Sequence, residues 1–103
     1  DTARAVEREV RAALPGAHVE FDPGNGLLAI GTSSKMRDLL FAIIPHGAHV
    51  NLQLADGVDL PNPKGLIEGT GKRIRHVKVR SPEGAASADV RAIVRAQVGH
   101  RSR

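Results

Sequence analysis

Six consecutive apolar residues, Leu39 to Ile44 (LLFAII), stand in the middle of the chain. Such a run fits a strand covered on both faces, and so predicts one that lies centrally in a sheet. Pro45-His46-Gly47 then turns the chain. Beyond it Ala48, Val50, Leu52 and Leu54 face one way while His49, Asn51 and Gln53 face the other, a clean period-two pattern that Asp56-Gly57 ends. Everything else has to be arranged around these two strands.

Before them, Ala3, Val6, Val10, Ala13 and Leu14 recur at helical spacing, with Arg4, Glu7, Arg8 and Arg11 between, until Pro15-Gly16 stops the run. His18 to Phe21 alternates polar and apolar, Asp22 to Gly26 is turn chemistry, and Leu27 to Ile30 reads as the returning strand of a hairpin. Gly31 to Lys35 is a loop or a short helical turn reaching Asp38. After them, Ile74 to Arg80 is a fifth strand, broken by Ser81-Pro82-Glu83-Gly84. Ser87 is placed to cap a last helix lined by Val90, Ile93, Val94 and Val98. Gly99 ends that helix, and residues 99–103 form a frayed basic tail.

Helix, five strands and helix, joined by short turn-rich links, predict an α+β fold. Its mostly antiparallel sheet carries both terminal helices packed on one apolar face, in two layers. The 103 residues make a single domain, able to bury roughly 60–70% of the surface its unfolded chain exposes. Phe21 and Phe41 are its only aromatics, so the core must be aliphatic. With no cysteine, disulfides and thiolate metal sites are excluded, and a cytoplasmic setting is the default. No apolar run approaches the roughly 20 residues of a membrane span, and no signal peptide is visible.

The chemistry concentrates in Leu60 to Arg80, LPNPKGLIEGTGKRIRHVKVR. Two prolines stiffen the start; Gly65, Gly69 and Gly71 give backbone freedom; then Lys72, Arg73, Arg75, Lys78 and Arg80 follow with no acid among them. It is not a P-loop: counting back from Gly71-Lys72 puts Leu66 where the first glycine belongs, and Arg73 replaces the hydroxyl that would hold magnesium. Ile74 stands where a dinucleotide fingerprint needs its third glycine. What remains is a glycine turn whose N–H groups, with Lys72, Arg73 and Arg75 beside them, could cradle a phosphate or carboxylate, the turn being expected to need a positive φ at Gly71. On the predicted registers His49 and His76 share the polar sheet face with it. The candidate ligand-binding set is therefore Gly69, Gly71, Lys72, Arg73, Arg75, His49 and His76.

The surplus of fifteen Lys and Arg over eleven Asp and Glu favours a small anionic ligand or an acidic protein partner. Nucleic acid is disfavoured, because base-stacking residues and recognition motifs are missing, although a basic nucleic-acid-associated module stays open as an alternative. His18, His49 and His76 would need neighbouring strands to hold a metal, and His46-x-x-His49 spans a turn; no cofactor is expected. Neither a nucleophile elbow nor a placed acid pair is present, so no enzyme is expected.

At these same residues the chain resembles a known family. Phe41-Ala-Ile-Ile-Pro-His-Gly-Ala-His49, continuing to Leu54, then Leu60-Pro-Asn-Pro63 and Gly65-Leu-Ile-Glu-Gly-Thr-Gly-Lys-Arg-Ile-Arg-His76-Val-Lys, is similar to the YdhG-like domain of unknown function, over roughly residues 39 to 80. The resemblance implies a frataxin-like arrangement of helices on an antiparallel sheet and, for some relatives, an intracellular iron chaperone. Frataxin-like iron handling relies on an acidic first helix, whereas here Asp1, Glu7 and Glu9 stand among Arg4, Arg8 and Arg11.

Overall fold

The computed structural model describes residues 1–102. Its elements run α1 (Thr2–Ala13), β1 (His18–Asp22), β2 (Leu27–Gly31), β3 (Leu39–Pro45), β4 (Val50–Leu54), β5 (Arg75–Val79), a short α2 (Pro82–Ala85) and α3 (Ala88–Arg101). Single 3-10 turns occur at Met36–Asp38 and Gly57–Asp59.

The strands form one sheet in sequential order, each antiparallel to the next. The apolar sextet supplies the central strand, and Leu40 to Ile43 are all buried. Ile30, Phe41, Ile43, Leu52, Leu54, Val77 and Val79 share one sheet face by register and burial. Ala5, Val6 and Val10 of α1 and Val90, Ile93 and Val94 of α3 join them in a single core cluster, so both helices roof that face. Burying such side chains contributes roughly 1.5–3 kcal/mol each, which is why the apolar stripes decide the layering.

Local signals set the ends. The Asp1 carboxylate caps α1 by accepting from Arg4 N–H at 2.8 Å, and Gly16 turns the chain out at φ +75°. Ser87 Oγ accepts from Val90 N–H at 3.2 Å and starts α3. Ser81, part of the Ser-Pro-Glu-Gly breaker, caps α2 in the same way with Pro82 in its first turn.

Two expectations are corrected. Strand β4 begins at Val50, so Ala48 and His49 belong to the turn, where His46 N–H donates to the His49 carbonyl at 2.8 Å. Gly99 does not end α3: the helix runs through it to Arg101 with Ser102 at its C-cap, Arg103 lying outside the described residues. A tertiary tether holds that last turn: Arg101 donates to Asp56 at 2.7 Å and to the Arg37 carbonyl at 2.9 Å. Among the described residues no helix is long and apolar enough to cross a membrane.

Candidate functional site

The segment between β4 and β5 is shaped mainly by its own polar groups. The Asn62 side chain accepts from Ile67 N–H at 3.0 Å and donates to the Ile67 carbonyl at 2.9 Å, closing a loop whose Gly65 has φ +67°. Glu68 then pairs with His76 through two backbone bonds of 2.8 and 2.9 Å, so the outer edge of β5 is partly covered. Gly69 has φ +121°, which only glycine adopts readily. Gly71 does not have a positive φ, contrary to expectation. It is needed for space, since a Cβ there would lie 2.6 Å from the Ile74 carbonyl oxygen.

The predicted cations do not all face one ligand. Arg73 Nη2 donates to Asp56 Oδ1 at 2.6 Å, and Arg75 Nε donates to the Gly71 carbonyl at 2.7 Å. Lys72 is exposed and has no acidic partner among the described residues. His76 stays on the open face of β5, with Glu68 Oε1 3.6 Å from its Nε2. His49 lies apart from the glycine turn, at the opposite end of the β4–β5 pair, because the register sets Leu54 beside Arg75 and Val50 beside Val79.

In sequence Asp56 reads only as the end of a strand. It is fully buried. Its N–H donates to Gln97 Oε1 at 2.8 Å, and its Oδ2 accepts from Gln97 Nε2 and from Arg101 Nε, both at 2.7 Å. Burial alone would push this carboxyl up, but hydrogen bonds from Gln97, Arg101 and Arg73 outweigh it and hold it below its usual range. A signal was available: Gln97 falls on the apolar stripe of α3, and a buried amide requires a partner. With every strong acceptor direction occupied, Asp56 is a structural clasp and Arg73 is spent on it.

The remaining positive charge is split between Lys78, which stands on the sheet face away from the helices, and Arg80, which follows the end of β5. One row across that face reads Glu20, Ala29, Ala42, Gln53 and His76; the next reads Asp22, Leu27, Ile44, Asn51 and Lys78. Beyond them Arg80 joins His46, His49 and, at the start of α1, Asp1 in lining a cleft of about 390 Å³. The two imidazoles stack with ring centroids 4.9 Å apart. Desolvation first, then the charges of His46, Lys78 and Arg80, hold the His49 pKa below its ordinary value; the neighbouring Asn51 opposes them slightly. Asn51 Oδ1 is itself buried without a hydrogen-bonding partner. Among the described residues Glu68 is the one acid within ion-pair distance of Lys78, at 3.4 Å.

His18 and His76 stand on opposite edge strands, β1 and β5, and His49 is in a turn, so the three predicted imidazoles do not converge. Among the described residues no three His, Cys, Asp or Glu side chains come together as a metal ion would require. No family model, curated protein or solved structure matches the chain.

Proposed function

We propose that this domain is a non-enzymatic binding module for anionic ligands or acidic protein surfaces. Its contact region is the β5 side of the open sheet face, where Lys78 and Arg80 lie beside His49 and His76, with Lys72 at the glycine turn. The observation that carries this reading is the placement of Lys78 and Arg80 beside the His46–His49 turn, with Glu68 the only acid paired with Lys78 among the described residues. A cytoplasmic setting belongs to the same proposal and rests on the absence of cysteine. The iron handling implied by the YdhG-like resemblance has no comparable support, since no metal-ligating trio forms among the described residues. Calorimetry with a glutamate-rich peptide at low and high salt is the test. Salt-sensitive binding that Lys78→Glu abolishes is expected; equal binding by the variant, or none by the parent chain, would refute it.

A further inference from the structure

The open sheet face carries opposite charges at its two sides. On β1, Glu20 is exposed and Asp22 is ionised, since hydrogen bonds from Asn25 and Gly24 hold its carboxyl below the usual range. On β5 stand His76 and Lys78, with Arg80 just beyond. Along the β1 side, walled by the loop of residues 33–36 and reaching Gln53 on β4, runs a groove of about 660 Å³ whose apolar lining includes Leu27, Ala29 and Leu39. Ile44 lies in line with Ala42 on the same face of β3.

We infer that this face is self-complementary and that the acidic partner of β5 is the β1 side of a second copy of the chain; the inference rests on the acidic-partner reading above. A two-fold axis parallel to the strands and over β3 reverses strand order while preserving the rows. It therefore sets β1 above the partner copy's β5, β2 above β4, and β3 above itself. Glu20 then faces the His76 row, Asp22 faces the Lys78 row, and the half-buried Ile44 side chains of the two copies meet near the axis. A two-fold axis across the strands would instead stack acids on acids and cations on cations, so charge selects the first arrangement. Aligned packing of two sheets about 10 Å apart is an ordinary geometry for such a face.

Five strands about 4.8 Å apart and five residues of about 3.4 Å each give a patch of roughly 400 Å² per copy. A total near 800 Å² belongs with weak, transient contacts, well below that of an obligate dimer. Three groups reduce the contrast: Glu68 beside Lys78, His18 bonded to Glu20 at 2.7 Å, and Lys35 at the rim of the groove. They agree with association that is weak and sensitive to salt.

The test is sedimentation velocity from micromolar to millimolar concentration at low salt, on the parent chain, on Glu20→Lys, on Lys78→Glu and on the double variant. Both positions are exposed, so the fold is kept. The parent chain should dimerise, each single reversal should weaken the dimer by about tenfold or more, and the double variant, which sets a carboxylate against Asp22 and an ammonium against His76, should be at least as weak. Cysteine introduced at Ile44, the only thiol in the chain, should cross-link between copies through a short bis-maleimide. A parent chain monomeric throughout, or a dimer indifferent to both reversals, overturns the inference. A monomeric chain that still binds the glutamate-rich peptide loses only the dimer, whereas one that neither associates nor binds loses the acidic-partner reading as well.

Discussion

Asp56 and Gln97, 41 positions apart, exchange two hydrogen bonds in the buried interior: Asp56 N–H donates to Gln97 Oε1 at 2.8 Å and Gln97 Nε2 to Asp56 Oδ2 at 2.7 Å. This pair ties the end of β4 to the middle of α3. Arg101 and Arg73 add the last turn of α3 and the approach to β5. One residue thus links three segments.

Removal of that carboxylate should therefore be costly. Asp56→Ala leaves Gln97 and Arg101 without their buried acceptor and should destabilise the fold by about 3–5 kcal/mol. Gln97→Leu, which orphans the Asp56 N–H, should cost about 1–3 kcal/mol. Urea denaturation gives both values. A midpoint unchanged by Asp56→Ala would show that the clasp does not hold the three segments.

Acid should release the same clasp. The folded pKa of Asp56 is below its unfolded value, so its contribution is fully present above the unfolded pKa and disappears as pH falls through the folded one. Stability should drop on acidification below about pH 4, the ordinary carboxylate range. In Asp56→Asn that part of the pH dependence should flatten. Urea midpoints across the acid range measure it, and a parallel drop in the variant would assign the acid sensitivity to other groups.

Gly71 and Lys72 are neighbours with opposite expected behaviour. A Cβ at residue 71 meets the Ile74 carbonyl oxygen at 2.6 Å, a backbone atom that cannot swing aside. Gly71→Val should cost about 1–3 kcal/mol through this clash, without any contribution from φ. Lys72→Ala should stay within about 0.5 kcal/mol. Thermal melts of the two variants check the contrast.

Much of the fold was legible because its signals are local or periodic. The sextet Leu39 to Ile44, the alternation through Leu54, and the stripes of Val6 and Val10 and of Ile93 and Val94 each specify an element and its buried side. The candidate site was less legible, because a basic residue does not announce its partner. Arg73 and Arg75 are alike in sequence with Lys72, yet one is taken by a buried carboxylate and the other by a carbonyl four residues away. The first choice is made across 17 positions, by a carboxylate that is itself held by Gln97 from 41 positions away, beyond the reach of spacing. Arg101 misled in the same way: Gly99 favoured a helix end, and tertiary hydrogen bonds overrode it.

His49 reports on the remaining charge. Its pKa is lowered first by desolvation and then by His46, Lys78 and Arg80. Followed by NMR, its imidazole should titrate below the ordinary value, and Arg80→Gln should move it upward. A midpoint that does not respond to Arg80→Gln would separate His49 from the basic side of the sheet.

The most direct measurement of where the domain binds is a residue-by-residue amide shift map during titration with a glutamate-rich peptide. Shifts confined to His76, Lys78 and Arg80 on and beyond β5 and to His49 in the facing turn, suppressed by salt and lost in Lys78→Glu, are the predicted result. Shifts concentrated at Arg73 and Asp56, or spread over the helical face with β5 silent, would contradict it.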